Sequence, residues 1–159
     1  MQLLIASLVI GIVATAIFDL WGIIINRLMG LPRPRWDMAG RWFGHMAYGR
    51  FAHRSMTEAH PVAGESAIGW ILHYMIGVIY AALIPLIWVM EWLQAPTLLP
   101  ALVVGIVTVG VGWFIMSPGM GNGMAASHAA NPWKVRGLQL AAHAVFGFGL
   151  WIGAILYSL

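Results

Sequence analysis

The sequence contains no cysteine and few charged side chains. Without cysteine there is no disulfide, no thiolate metal site and no thiol nucleophile. Only 8% of the 159 residues are charged and 61% are apolar, whereas an average soluble domain has about 25% charged and about 45 to 50% apolar residues. So few charges cannot cover a water-soluble fold. The composition therefore predicts an integral membrane protein whose surface is mostly in contact with lipid.

Four apolar segments are each long enough to cross a bilayer. A spanning helix needs about 20 largely apolar residues, because about 30 Å must be covered at about 1.5 Å per residue. No basic residue precedes the first segment, so we expect it to be retained rather than cleaved as a secretory signal. The predicted fold is all-α, a single integral membrane domain over residues 1–159 built as a four-transmembrane-helix bundle. Its spans are approximately 3–28, 66–92, 98–116 and 135–156, and its polar loops are 30–65 and 117–134.

All eight basic residues lie in or beside these two loops, on one side of the predicted topology. Because Lys and Arg are retained in the cytoplasm, the pattern predicts a multi-pass protein of a bacterial inner membrane, with both long loops cytoplasmic and both termini periplasmic. The formal net charge of +3 includes no long basic run, so the predicted partner is the lipid bilayer and not nucleic acid.

The first loop contains a segment with helical periodicity. Apolar residues from Trp36 to Ala47 recur at helical spacing after Pro32 and Pro34. One interpretation is an amphipathic helix that binds the lipid surface or a partner. The favoured interpretation is a helical or interfacial connector whose aromatic rings lie at headgroup depth.

The two halves of the chain share a pattern. Gly11-Ile12-Val13 in the first span matches Gly105-Ile106-Val107 in the third, and the spacing His-x-x-x-Gly occurs at residues 73–77 and 143–147. Both halves would enter and leave the membrane on the same sides, which is typical of a 2+2 parallel repeat. Glycine is frequent in membrane helices, so chance similarity stays an alternative.

Three ionisable residues are predicted to lie inside the spans: Asp19, His73 and His143. A carboxylate at the centre of a membrane helix costs about 2.5 to 3.5 kcal/mol on the insertion scale, so each such residue requires a reason. Counting from the nearest loop charges places all three about 10 to 14 Å below the cytoplasmic boundary. Thr108 lies at the same level on the remaining helix. We therefore expect these residues to meet in the bundle.

Several interpretations of this polar level stay open. In the simplest, Asp19 accepts a hydrogen bond from one imidazole, the other bonds a backbone carbonyl or Thr108, and together they lock the helices. Two imidazoles and a carboxylate also suit a divalent transition metal such as Fe, Mn or Zn. A proton or small-ligand relay would use the titration of histidine near neutral pH. The least favoured interpretation is a haem held between His73 and His143.

The second loop carries a methionine repeat. Met116, Met120, Met124 and His128 recur every four residues, and one helix would align them in a stripe. Thioethers suit Cu(I). Pro118 and three glycines argue against a regular helix, so the favoured interpretation is a broken or re-entrant segment that covers the polar level as a lid.

The chain resembles a family of small bacterial inner-membrane proteins known only as a domain of unknown function. The resemblance rests on Phe18-Asp19, on the His-rich first loop ending at His60-Pro61, and on the Ser-Pro-Gly-Met-Gly segment at residues 117–121. It covers nearly the whole chain and implies a four-span protein. It implies no activity and assigns no functional residues.

An ordinary enzyme is not the favoured prediction, because the sequence contains no phosphate-binding glycine loop after a strand and no nucleophile elbow. The first hypothesis is a membrane protein that binds or carries a metal ion or small ligand at Asp19, His73 and His143, beneath the methionine loop. The second is a non-catalytic accessory or assembly subunit of a membrane complex. Four helices around one small site leave room for a homodimer.

Overall fold

The protein is entirely helical in the computed structural model, which describes residues 1–159. Four helices are long and apolar enough to cross a membrane. This confirms the predicted all-α, four-span fold and indicates a multi-pass membrane protein. The helices are α1 (Gln2–Met29), α2 (Trp36–Met46), α3 (Glu65–Ile87), α4 (Leu98–Gly119) and α5 (Pro132–Ser158), with α2 as the shorter helix of the first loop.

Helix α3 ends earlier than the sequence indicated. It was expected to continue to about residue 92, but it ends at Ile87, and Met90–Leu93 forms a separate 3-10 turn. Pro85 lies in the last turn and supplies no N–H for the helix. Val89 then has a φ of 127°, a backbone conformation that no helix contains.

Helix α4 is irregular and longer than predicted. Residues Gly112–Met116 form a π-helical turn, and the helix continues through Ser117–Gly119. It stops where Gly121 and Gly123 adopt φ values of 87° and 72°. These left-handed conformations are readily adopted only by glycine.

The contacts of the chain fall into two compact units. The bundle unit comprises residues 1–33, 74–108 and 140–159, and the loop unit comprises residues 34–73 and 109–139. Each unit has its own buried apolar cluster. The assignment of the whole chain to one membrane domain stays a prediction.

Small residues bring the helices of the bundle unit into close contact. A methyl group on Gly11 would lie 2.5 Å from the Cα of Val78, and one on Gly105 would lie 2.6 Å from the Cα of Gly147. Close approach at small residues is the usual way in which membrane helices gain packing energy. The buried residues around these contacts include Ala6, Ile10, Ala14, Leu150 and Ala154.

The two glycine contacts follow the predicted repeat. Gly11 packs on α3 beside Gly77, and Gly105 packs on α5 at Gly147. A threonine hydroxyl also donates to the carbonyl of each of these two glycines. Thr15 donates to Gly11 at 2.7 Å, and Thr108 donates to Gly105 at 2.8 Å. The glycines matched by sequence thus make the same kind of contact. This supports the parallel-repeat interpretation, which stays a prediction.

The loop unit encloses α2. Met38 and Trp42 are buried on one face of this helix and pack against Met56, Met116 and Met120. The helical spacing in the first loop therefore did indicate a helix. Because Trp42 is only 4% exposed, this apolar face packs against protein and is not available to a lipid surface or a partner.

Candidate functional site

The predicted intramembrane residues belong to both units. Asp19, Thr108 and His143 lie in the bundle unit, whereas His73 lies in the loop unit. No group of three or more His, Asp or Glu side chains is placed to hold a metal ion. The arrangement of Asp19, His73 and His143 as a divalent-metal site therefore has no support from the structure.

His143 joins two helices of the bundle unit. Its Nδ1–H donates to the backbone carbonyl of Gly105 at 2.9 Å. The Thr108 hydroxyl donates to the same carbonyl and lies 3.4 Å from the imidazole nitrogen. The ring of Phe18 meets the imidazole edge-on, with 6.1 Å between centroids. This geometry matches the helix-locking interpretation, in which a backbone carbonyl and Thr108 satisfy one imidazole.

Asp19 has a partner that was not predicted. The hydroxyl of Tyr74 donates to Asp19 Oδ2 at 3.1 Å, a bond between α1 and α3. The sequence signal was a tyrosine directly after His73, at nearly the same depth in the span. Within the loop unit, the His73 ring is stacked on Trp36 with 3.7 Å between centroids.

The methionine repeat does not form one stripe. Met116 ends the π-helical turn, Met120 lies in a turn, and Met124 begins a short 3-10 helix. Met116 and Met120 pack against the buried cluster on α2, but the Met124 side chain is 59% exposed. His128 Nδ1–H donates to the carbonyl of Gly121. The prediction that glycine breaks this segment is confirmed, and the aligned thioether site is not formed.

A different set of polar residues meets in the first loop, over residues 47–64. Loops longer than about 12 to 15 residues without regular structure are uncommon in compact proteins and are usually functional or disordered. Here three buried side chains of α2 hold the loop through its backbone carbonyls. Trp42 Nε1 donates to Phe51 O at 2.9 Å, and His45 Nε2 donates to His60 O at 3.0 Å.

Arg41 is the third of these side chains and makes the most bonds. It donates to the carbonyls of Met56 at 3.2 Å and Ala59 at 3.0 Å. It also forms two parallel hydrogen bonds with the Glu65 carboxylate, at 2.8 Å and 2.7 Å. The bonded carboxylate raises the pKa of Arg41, so the guanidinium stays charged. Glu65 also accepts from the backbone N–H of Val62.

His45 and His53 share one hydrogen bond, with His45 Nδ1 2.7 Å from His53 Nε2. Because a carbonyl can only accept, the bond to His60 O requires a hydrogen on His45 Nε2. A neutral His45 therefore has a bare Nδ1, and His53 Nε2–H is the donor. A neutral His53 then has a bare Nδ1 as well. That nitrogen is buried and has no hydrogen-bond partner in the structure.

His53 is one of the residues that line an open pocket of about 470 Å³. Arg50 and Arg54 lie in its wall, both exposed, and neither takes part in the ion pairs formed by Arg35 and Arg41. Glu58 is the single acidic residue of the wall. The full lining is Arg50, Ala52, His53, Arg54, Ser55, Glu58, Ala59 and His60.

The Ser-Pro-Gly-Met-Gly segment supports this wall. The backbone N–H of His53 donates to the carbonyl of Gly119 at 2.9 Å. A methyl group on Gly121 would collide with the carbonyl of Arg54. The segment therefore fixes the backbone on both sides of the His53–Arg54 peptide, and the contact with Arg54 requires glycine at position 121.

This pocket was not predicted from the sequence. The available signal was the series His45, His53 and His60 interspersed with arginines, together with one arginine on the apolar side of α2. Helical counting gives no distances across an irregular loop, so these side chains could not be brought together in advance.

Comparison with known proteins agrees with the resemblance drawn from the motifs. No curated protein and no solved structure matches the chain. The model of one family, described as protein of unknown function (DUF2938), matches residues 8–157. This range includes Phe18-Asp19, His60-Pro61 and the Ser-Pro-Gly-Met-Gly segment, and it covers nearly the whole sequence. The chain therefore belongs to the DUF2938 family.

Proposed function

We propose that this membrane protein binds a small water-soluble ligand in the pocket of its first loop. The observation that carries the proposal is the open pocket itself, with Arg50, His53 and Arg54 in a wall that three buried side chains of α2 hold in place. The volume of about 470 Å³ lies within the range of about 300 to 1,000 Å³ that is common for small-molecule sites.

The way the loop is held favours a binding site over a simple connector. Arg41, Trp42 and His45 are each less than 8% exposed, and all three donate to loop carbonyls. Burial of a cation is costly unless it is paired and hydrogen-bonded. A connector between two spans does not need buried side chains that hold its backbone, whereas a site that must keep its shape without ligand does.

We further propose that the pocket faces the cytoplasm. All eight Lys and Arg residues lie in or beside the two long loops, and the loop unit contains six of them. The positive-inside rule favours this orientation. A ligand would then enter from the cytoplasm, and any transport would start or end there.

A second candidate function is a non-catalytic accessory or assembly subunit. The bond from His143 to the Gly105 carbonyl favours it, because this intramembrane histidine is engaged in joining helices. The two candidates differ at the pocket, since an accessory subunit has no reason to bind small solutes there.

Thermal unfolding of the full chain in neutral-lipid nanodiscs tests the proposal. Sulfate, ribose and tetramethylammonium serve as anionic, neutral and cationic probes, and a solute that binds the folded state raises the unfolding temperature. Ala52→Leu places a larger side chain in the pocket wall, and Ala63→Leu makes the same change at an exposed loop position outside it.

We expect at least one probe to raise the unfolding temperature of the wild type and of Ala63→Leu, but not of Ala52→Leu. The proposal is overturned if no probe has an effect, or if Ala52→Leu responds like the wild type.

A further inference from the structure

The first turn of α5 carries two cations that no nearby acidic residue neutralises. Lys134 and Arg136 lie there, and neither is in an ion pair. No acidic residue follows Glu91 in the sequence. Of the three acidic residues of the loop unit, two are held in ion pairs by other arginines, and the third is Glu58 in the first loop. The surface at the start of α5 is therefore positive.

This turn lies at the end of a candidate span. Helix α5 is long and apolar enough to cross a membrane, and Trp133 is its second residue. The Trp133 side chain is 78% exposed. Exposed tryptophan rings at span ends are typical of the headgroup level, where the ring is in apolar surroundings and the indole N–H in polar ones. The two cations therefore lie among lipid headgroups.

Two contacts orient the Arg136 guanidinium. Its Nε–H donates to the carbonyl of Ala125 at 2.8 Å, and its central carbon lies 4.8 Å from the centroid of the Trp133 ring. The first contact uses Nε and the second uses the face of the group. The N–H groups of both terminal nitrogens stay available, and they form the planar fork that binds phosphate through two hydrogen bonds.

The backbone that orients Arg136 is strained. Ala125 and Ala126 have φ values of 49° and 56°, a conformation readily adopted only by glycine. Ser117 holds this backbone, because its hydroxyl donates to the carbonyl of Gly123 at 2.6 Å and accepts from the N–H of Ala126 at 3.1 Å. Such strain persists only where the surrounding structure imposes it, and it is concentrated at functional sites. The strained turn places the Ala125 carbonyl where it fixes the guanidinium.

Gly137 leaves open space beside these groups. It is exposed, and a methyl group added to it would meet no atom within 4 Å. It follows Trp133 by four residues and Lys134 by three, so the three residues share one face of α5. The face next to the cations is thus open along the helix axis, as the acyl chain of a bound lipid requires.

We infer that Trp133, Lys134 and Arg136 bind the headgroup of an anionic phospholipid. The lipid phosphate would accept hydrogen bonds from the terminal nitrogens of Arg136 and from the Lys134 ammonium. A lipid with net negative charge is preferred because the two cations have no acidic partner. None of these residues lines the pocket of the first loop, so the inference does not rest on the proposed function.

Native mass spectrometry of the full chain from a neutral detergent tests the inference. Phosphatidylglycerol and phosphatidylcholine with the same acyl chains are the probes, because both contain a phosphate but only phosphatidylglycerol has a net charge. We expect one phosphatidylglycerol to bind at least about tenfold more tightly than phosphatidylcholine, since each basic residue near a membrane surface contributes about fivefold. Equal binding of the two lipids would overturn the inference.

Two variants locate the site. Lys134 is exposed, so Lys134→Gln should fold and bind phosphatidylglycerol about fivefold more weakly. Arg136→Gln should bind it about tenfold more weakly, because a hydrogen bond to a charged group is lost as well. Binding of phosphatidylcholine should not change in either variant. Because Arg136 also holds Ala125, the Lys134→Gln result decides the matter if Arg136→Gln does not fold. An unchanged lipid preference in Lys134→Gln would contradict the site.

Arg54→Gln is the charge-matched control. It removes one exposed positive charge from the loop unit, away from the span end. We expect it to keep the preference of the wild type for phosphatidylglycerol. If Arg54→Gln loses the preference and the two α5 variants keep it, the lipid binds elsewhere and the inference is wrong.

Inorganic phosphate separates a lipid site from a site for free phosphate. In large excess it should not displace phosphatidylglycerol, because it lacks the acyl chains that lie along α5. Displacement would assign the site to free phosphate and overturn the lipid assignment. The inference and the proposed function also fail separately. Ala52→Leu, which fills the pocket, should leave phosphatidylglycerol binding unchanged, and a loss in that variant would place the lipid in the pocket instead.

Discussion

Arg41 and Glu65 form a bidentate ion pair that joins α2 to the first turn of α3. Their side chains are 9% and 19% exposed. The same guanidinium holds two carbonyls of the first loop. The pair therefore links the packing of α2 to the shape of the pocket.

Replacing Arg41 by methionine should destabilise the loop unit. The Glu65 carboxylate and two loop carbonyls lose their donor, which for a buried pair costs about 3 kcal/mol. Unfolding in detergent micelles measures the loss, and hydrogen exchange of residues 51–60 should become faster. A loss below about 1 kcal/mol would show that the pair does not hold the loop.

Arg35→Met is the matched control. Arg35 pairs with Asp37, but their side chains are 62% and 32% exposed, and exposed pairs contribute little. The hydrogen-bonded guanidinium lowers the pKa of the Asp37 carboxyl, so the carboxylate is charged at neutral pH. The small contribution of this pair is lost only as the pH falls through that lowered pKa. At neutral pH we expect no measurable change in unfolding, and a loss as large as that of Arg41→Met would remove the distinction.

Gly105→Ala should destabilise the bundle unit. The added methyl group would lie 2.6 Å from Gly147 Cα and 2.7 Å from the His143 carbonyl oxygen. Backbone cannot move aside as a side chain does, and such overpacking costs about 1 to 3 kcal/mol. Gly137→Ala is the control, because its methyl group would meet no atom within 4 Å, and alanine favours a helix by about 1 kcal/mol. Equal effects on the unfolding temperature would contradict the close contact.

Thr108 and His143 should be coupled, because they donate to the same carbonyl. Either Thr108→Val or His143→Leu leaves Gly105 O one side-chain donor, whereas the double variant leaves none. We expect the double variant to lose at least about 0.5 kcal/mol more than the sum of the single losses. Additive losses would show that the shared carbonyl does not matter.

The absence of cysteine provides a direct test of orientation. Ala63 lies in the first loop and Gln94 in the short connection between α3 and α4, and both are exposed. A membrane-impermeant maleimide should label Gln94→Cys in intact cells, and Ala63→Cys only after the membrane is permeabilised. The reverse pattern would place the pocket outside the cytoplasm.

The spans could be predicted because a bilayer leaves few solutions for long apolar segments. The sequence pattern also matched Gly11 with Gly105, although their contacts were not predicted. The end of α3 was not predicted either, because composition does not indicate that the backbone leaves the helical conformation at Val89.

The site was harder to predict for a related reason. Depth in a span can be counted, which drew attention to Asp19, His73 and His143. Position in an irregular loop cannot be counted. The contact between His45 and His53 depends on bonds to Gly119, His60 and Phe51 that exist only after folding.

The central claim is that the pocket of the first loop binds a small water-soluble ligand. Thermal unfolding of the wild type, Ala63→Leu and Ala52→Leu in the presence of sulfate, ribose or tetramethylammonium measures this directly. The account predicts that at least one probe raises the unfolding temperature of the wild type and of Ala63→Leu, but not of Ala52→Leu. No effect of any probe, or an equal effect on Ala52→Leu, would contradict the account.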